Sequence, residues 1–167
     1  MAAPRMAEAT VDLITAALKA GIVAALADVR ADRADAKVST EAVKSWFITE
    51  KARGYQLPAV FVIADDFDFM KGQHRANHIN AIARVTVTVM LEDQDSTILT
   101  RRAWRYGSAV HQILDQNELT SVDLRVKLAV VITRTTYSPL FVKEDSPEGP
   151  FRKEIRMECE VNHWESV

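Results

Sequence analysis

Between residues 151 and 164, apolar and charged side chains alternate, which is the pattern of a β-strand with one face in a core and the other outside it. The apolar positions are Ile155, Met157, Cys159 and Val161, and the charged positions are Glu154, Arg156, Glu158 and Glu160. A shift of one residue would bury the charged set, so the register of this strand is tightly specified. A sheet with one apolar face needs a covering layer, which the rest of the chain must supply.

Two amphipathic helices and three further strands are predicted around this strand. Apolar residues recur every three or four positions after Thr10, a candidate N-cap, and predict a helix over 10–30. Asp95 or Ser96 can cap a second helix, whose inward positions end at Leu114. Runs of β-branched residues and alternating patterns predict strands at 59–64, 84–91 and 122–137. Gly21, inside the first helix, is either simply tolerated or marks a close neighbour.

These elements predict an α+β two-layer sandwich. Its sheet has four strands, antiparallel or mixed, with two helices on one face and the order α-β-β-α-β-β. The length of 167 residues and the 48% share of apolar residues fit a single domain over 10–167. Residues 1–9 show no periodicity and are expected to form a flexible arm.

Composition excludes several kinds of chemistry. A formal net charge of −2 lacks the basic excess of general nucleic-acid binders. One cysteine and five glycines provide neither a disulfide framework nor phosphate-binding loops. His74 and His78 are spaced like a two-histidine metal site but lie in a loop-like sequence, so no metal and no cofactor are expected. We expect no enzyme activity.

No membrane association is expected either. The longest strongly apolar stretch, residues 57–64, is far shorter than the roughly 20 residues that span a bilayer. No signal peptide is recognisable at the N-terminus.

Two long connections carry apolar side chains and are candidate docking surfaces. The connection over 65–78 contains Phe67, Phe69 and Met70, and the connection over 138–150 contains Leu140, Phe141 and Val142. Hairpin loops are usually two to five residues long, and longer ones are often functional. Alternatively, these side chains fold back on the parent domain.

The outward sides of the strands and of the second helix are further candidates. Thr86, Thr88, Arg156 and Glu158 are predicted on an outward sheet face, which is either a solvated surface or a subunit interface. Arg101, Arg102 and Arg105 are predicted on the outward side of the second helix. That side is either solvated or, in a less favoured interpretation, a nucleic-acid contact.

The order of elements and several short segments resemble the tail-terminator and tail-completion proteins at the neck of long-tailed phages. The resemblance covers about 10–165 and rests on five segments: VDLITAALKAGIVAAL, LPAVFVI, RVTVTVMLEDQD continuing into RRAWRYGSAVHQIL, TYSPLF, and FRKEIRMECEV. It implies a homo-hexameric ring that is assembled in the host cytoplasm, becomes part of the virion tail and caps the tail tube. The implied partners are other copies of the chain, the tail-tube protein and the head connector.

DNA would pass through the lumen of such a ring without specific binding, with which the weak acidity of the chain agrees. A head-completion or stopper ring protein of the same neck is the main alternative. A small ligand-binding α+β domain is a second, which a pocket with convergent polar groups would favour.

Overall fold

A computed structural model describes residues 6–33, 38–49, 53–70, 78–143 and 148–166. The two helices are α1 (Met6–Arg33) and α2 (Ser96–Leu114). The six strands are β1 (Ser45–Phe47), β2 (Ala59–Phe69), β3 (His78–Asp93), β4 (Asn117–Ser121), β5 (Val126–Tyr137) and β6 (Phe151–Ser166).

The strands form one curled, mixed sheet in the order β1-β2-β3-β6-β5-β4. β1 pairs with β2 in parallel, and every other neighbouring pair is antiparallel. The predicted four-stranded sheet with the order α-β-β-α-β-β was therefore wrong. The missed strands, β1 and β4, are short edge strands without a fully buried face. β1 has only three residues, too few for an alternating pattern, and the sequence of β4, NELTS, has little apolar signal.

Both helices cover one face of the sheet, which we call the inner face, and the opposite face is the outer face. The alternation in β6 is confirmed, since Ile155, Met157, Cys159 and Val161 are all buried in the core beneath the helices. Helix α2 begins at the N-cap Asp95, whose Oδ1 accepts the N–H groups of Thr97 and Ile98 at 2.7 and 3.0 Å.

Helix α1 begins at Met6, four residues before the predicted start, and Met6 and Ala9 are buried. The part of the predicted arm over 6–9 is therefore helical, and residues 1–5 lie outside the described residues. By length and composition, α1 is long and apolar enough to cross a membrane, contrary to the expectation that the longest apolar stretch is residues 57–64. Its apolar side packs in the core through Ile14, Leu18 and Ile22, which accounts for that composition.

Gly21 marks a close contact between the helices. A Cβ atom at this position would lie 3.1 Å from Cγ1 of Ile113, a side chain of α2. The neighbour is thus a side chain rather than a backbone, and the glycine lets α1 pack closely against α2.

The first predicted connection, over 65–78, is sheet at both of its ends. β2 continues through Phe69 after a bulge between Ala64 and Asp66, and β3 begins at His78. Residues 71–77 lie outside the described residues. In the second connection, Phe141 forms an isolated antiparallel bridge with Arg152, and residues 144–147 are outside the described part.

Candidate interaction surface

The four predicted outer-face residues come together as two adjacent cross-strand pairs. Thr86 of β3 lies opposite Glu158 of β6, and Thr88 lies opposite Arg156. Thr86 is nevertheless buried, and its hydroxyl donates a hydrogen bond to the Asp65 carboxylate in the β2 bulge at 2.7 Å. The prediction that these residues share an outward face is confirmed, whereas their role in an interface stays a prediction.

Charges of both signs cover the outer face. Arg84 donates to the carboxylates of Asp66 at 2.7 Å and Asp68 at 3.1 Å. These aspartates therefore lie on a strand, whereas the sequence suggested a loop. The carboxylates on this face are Asp65, Asp66, Asp68, Glu92, Glu118, Glu154, Glu158 and Glu160, and the cationic side chains are Arg84, Lys127, Arg134, Arg152 and Arg156. The outer face is thus polar with an acidic excess.

A groove of about 560 Å³ lies between the outer face and the loop that precedes β2. Tyr55, Phe61 and Phe47 form an aromatic cluster at one side, with ring centroids 5.1–5.7 Å apart. Arg53, Asp65, Glu154 and Arg156 supply charges to the lining. No local sequence pattern indicates this groove, because its walls come from segments far apart in the chain.

Phe67, Phe69 and Met70 were predicted as one docking group, but the structure separates them. Phe67 is partly buried against the core, with its ring centroid 6.4 Å from that of the inner-face residue His163. Phe69 is 57% exposed at the end of β2, and Met70 follows it. Phe67 is therefore a packing residue, and the predicted group is reduced to Phe69 and Met70.

Trp164 joins these two residues at the same end of the sheet. It stacks on His78 with 5.0 Å between ring centroids, and together with Met70 it lines a depression of about 250 Å³. We call Phe69, Met70, His78 and Trp164 the β2–β3 end. The alternation of β6 places Trp164 on the outer face, so the sequence pattern could have suggested it.

A second exposed apolar group lies at the opposite end of the sheet. Leu140 and Phe141 are each 39% exposed, Val142 is partly buried and Phe151 is 38% exposed. We call these four residues the β5–β6 end. Asp93, the last residue of β3, pairs with Phe151, whereas His78, the first, pairs with Ser166, which places the two groups at opposite ends of the long strands.

The arginines of α2 are not all on an outward surface, contrary to the prediction. Arg102 and Arg105 are buried, while Arg101 is exposed. Arg105 donates to the Val38 carbonyl at 2.7 Å, and Arg102 contacts Asp93 at 3.0 Å. Two of the three arginines thus bind the chain itself, which removes the basis of the nucleic-acid interpretation.

Side chains of α2 therefore hold the segment over 38–44 against the helix by hydrogen bonds. Arg102 also donates to the Ser39 hydroxyl at 3.0 Å, and the Tyr106 hydroxyl donates to the Glu41 carbonyl. Burial raises the pKa of Tyr106 well above its ordinary value, so this donor keeps its proton. We call residues 38–44 the strap.

A buried polar cluster links α1 to β6. His163 Nε2 lies 3.3 Å from the Glu165 carboxylate, and Nδ1 lies 2.9 Å from the Thr10 hydroxyl. With Nε2–H donating to the carboxylate, Nδ1 accepts from Thr10. Burial lowers the pKa of His163, although the Glu165 carboxylate opposes this shift.

Acidification should therefore destabilise the fold through His163. Above its ordinary pKa of 6.5 the imidazole is neutral in the folded and unfolded states alike. As pH falls from 6.5 towards the lowered folded pKa, the unfolded chain takes up the proton first, and stability falls by at most about 1.4 kcal/mol per pH unit. Urea unfolding from pH 7.5 to 5 should show a shallower decline for His163→Gln than for the wild type. Parallel curves for the two proteins would contradict this assignment.

Catalytic and metal chemistry find no support in the described residues. Burial raises the pKa of the Cys159 thiol to about 12, which keeps it protonated. No group of three or more metal-ligating side chains occurs within the described ranges. His74 lies outside the described residues, and His78 stacks on Trp164. The absence of enzyme activity stays a prediction.

Comparison with known proteins identifies no family for the chain. No family model matches the sequence, and no curated protein matches it significantly. A chain of a solved structure described as the virion of a native gene transfer agent particle aligns with a TM-score of 0.47 and 16% identity, covering 90% of this chain and 96% of that one. A second solved chain aligns with a TM-score of 0.43 and 15% identity, covering 90% and 94%. Similarity at these sequence identities concerns the backbone fold alone. Membership of the tail-terminator family stays a prediction.

Proposed function

We propose that this chain is a structural protein of a phage-like virion, and specifically a ring-forming tail terminator that caps the tail tube and joins it to the head. The observation that carries the proposal is the presence of exposed apolar side chains at both ends of one sheet. β3 has 16 residues and spans roughly 50 Å, so the β2–β3 end and the β5–β6 end are too far apart to meet the same small surface. A protein that joins two structures needs one contact for each of them.

A ring fits this arrangement because it has two flat faces. Apolar groups that a monomer would leave in water are covered when each face meets a partner. Cyclic symmetry also closes the assembly, so that no open end is left for further growth. The hexameric state, the tail-tube partner and the head-connector partner come from the sequence resemblance.

The outer face suits a passage for DNA better than a DNA-binding site. Its carboxylates outnumber its arginines and lysine taken together, and Arg84 is engaged by Asp66 and Asp68. An acidic surface repels phosphate groups at short range, which allows DNA to slide past without specific binding. In this proposal the protein acts by contact and carries no catalytic group.

Light scattering and negative-stain microscopy of the purified chain test the ring directly. We expect closed rings of six subunits, alone or after addition of tail-tube protein, and tube growth that stops when the rings are present. Rings that bind the portal or its adaptor but not the tube would instead support the stopper alternative. A monomer at every concentration, also with tube and portal proteins added, would contradict both roles.

One observation favours a small ligand-binding domain as a second candidate, namely the groove beside the aromatic cluster. Its charged residues of both signs, such as Arg53 and Asp65, could orient a polar molecule. Screening small polar ligands by thermal shift, with Arg156→Ala as the matched variant, tests this candidate. Stabilisation that disappears in the variant would favour it over the ring protein.

A further inference from the structure

Both lateral edges of the sheet are only partly covered. β1 pairs with residues 59–61 of β2, and β4 pairs with residues 126–130 of β5. Within the described part of the chain, no strand pairs with the outer edge of β2 after Phe61 or with that of β5 after Val130. Uncovered strand edges present backbone N–H and C=O groups in a row, which is a template for another strand.

We propose that the uncovered part of β2 in one subunit pairs antiparallel with the uncovered part of β5 in a second copy of this chain. The inference rests on the proposed ring and identifies the contact between its subunits. β2 and β5 run in opposite directions within one sheet, because they are separated by three antiparallel steps. Copies in the same orientation therefore meet as antiparallel strands, through two different edges, and such a heterologous contact can close into a ring.

The side chains on the two edges match face by face. Four directly opposed pairs result when Asp66 is placed opposite Arg134: Val62–Tyr137, Ile63–Thr136, Ala64–Thr135 and Asp66–Arg134. In each subunit's own sheet, Val62, Ala64, Thr135 and Tyr137 are on the inner face, and Ile63, Asp66, Arg134 and Thr136 are on the outer face. The β2 bulge between Ala64 and Asp66 leaves Asp65 unpaired and keeps these faces in step.

Charge complementarity favours a second copy as the occupant. On the β2 edge, Asp66 and Asp68 share the single guanidinium of Arg84, which leaves a negative charge in excess. On the β5 edge, Arg134 is exposed; Glu158 of β6 lies opposite it in the sheet, but among the described residues Arg134 forms no ion pair within 4 Å. An Arg134 side chain opposite Asp66 would neutralise that excess.

The offset between subunits is small. Within one subunit, the register places Asp66 beside Arg84 and Arg84 beside Glu160 of β6, whereas Arg134 is beside Glu158 of β6. Asp66 and Arg134 therefore differ in height along the strands by two residues, or about 7 Å, and neighbouring copies are displaced by that distance when the two residues pair. The Asp115 carboxylate accepts the Ile132 N–H at 2.9 Å, which blocks the edge there. Pairing between subunits therefore begins at Arg134 and runs towards Tyr137.

Cysteine cross-linking of the full chain tests this contact. Directly opposed residues of antiparallel strands have Cα atoms about 4.5–5.5 Å apart, within reach of a disulfide. We expect mild oxidation of Ile63→Cys/Thr136→Cys to give a ladder of covalent multimers that ends at the subunit number of the ring. Within one subunit these positions are three strand spacings apart, about 14 Å, so a disulfide there is excluded. Cys159 is buried and does not compete.

The matched control is Ile63→Cys/Thr135→Cys, in which the two cysteines lie on opposite faces and should remain monomeric on a denaturing gel. Arg134→Ala should weaken self-association about fivefold, whereas Arg30→Ala, an exposed arginine of α1, should not. Rings that form without any cross-link in the Ile63/Thr136 variant would overturn the strand pairing and leave the proposed function standing. A wild-type chain that never forms rings would overturn both.

Discussion

Arg105→Ala is expected to lower the free energy of unfolding by about 3 kcal/mol, because the guanidinium is buried and holds the Val38 carbonyl at 2.7 Å. Truncation leaves that carbonyl without its donor and opens a void between α2 and the strap. Arg101→Ala, on the exposed side of the same helix, is the matched control and should change stability by less than about 0.5 kcal/mol. Urea unfolding followed by circular dichroism measures both.

Arg102 provides an independent check of the strap. Its guanidinium contacts Asp93 at 3.0 Å and the Ser39 hydroxyl at 3.0 Å, so Arg102→Ala should destabilise more than Arg101→Ala but less than Arg105→Ala, since Asp93 retains some access to water. Equal, small effects of all three substitutions would mean that the strap is not anchored by α2. The burial of Arg102 and Arg105 argues against a nucleic-acid contact through α2. A nucleic-acid affinity that decreased in the Arg101 variant alone would support that contact again.

The alternation of β6 shows which part of the fold the sequence determines. A residue's face on a long central strand follows from its parity, and the buried set from Ile155 to Val161 was predicted correctly for that reason. The same parity places Thr86, Thr88, Arg156 and Glu158 on the outer face, whereas their pairing depends on the register between β3 and β6. Local periodicity is sufficient to predict the buried side chains of a strand that has neighbouring strands on both sides and a full covering layer.

β4 and the arginines of α2 show where local pattern fails. β4 has the sequence NELTS, whose strand character comes from pairing with β5 rather than from burial. Arg102 and Arg105 look like solvated residues because their partners, Val38 and Ser39, are more than sixty residues away in the chain. A buried charge is tolerated only with such partners, and no periodicity encodes them.

The residues of the two apolar ends also divide into those that the sequence predicts and those that it does not. The apolar content of the two connections correctly indicated Phe69 and Leu140 as exposed groups, but Phe67 packs inward because β2 extends past the predicted strand end at Ala64. Trp164 completes the β2–β3 end although it lies on β6, almost a hundred residues after Phe69. Proximity between strand ends depends on the sheet order, which local patterns leave open.

Paired serine substitutions at the two ends should separate the two proposed partners. Phe69→Ser/Met70→Ser is expected to weaken binding of the ring to the tail tube by roughly 30-fold, because two partly exposed side chains would each contribute about 1 kcal/mol on docking. Leu140→Ser/Phe141→Ser should leave tube binding intact and weaken binding to the head connector to a similar extent. Phe67 is kept in both variants, since its contact with the core would confuse stability with docking.

Val122→Ser is the matched control, because Val122 is 90% exposed in the turn between β4 and β5 and belongs to neither end. It should bind both partners like the wild type. Each variant is first shown to form rings by light scattering, so that lost binding reflects the end and not the subunit contact. Tails of normal length and ordinary head joining in a phage that carries Phe69→Ser/Met70→Ser would contradict the role of the β2–β3 end. If both double variants instead lost the same partner, the two ends would act on one surface, and the arrangement with one contact on each face of the ring would be wrong.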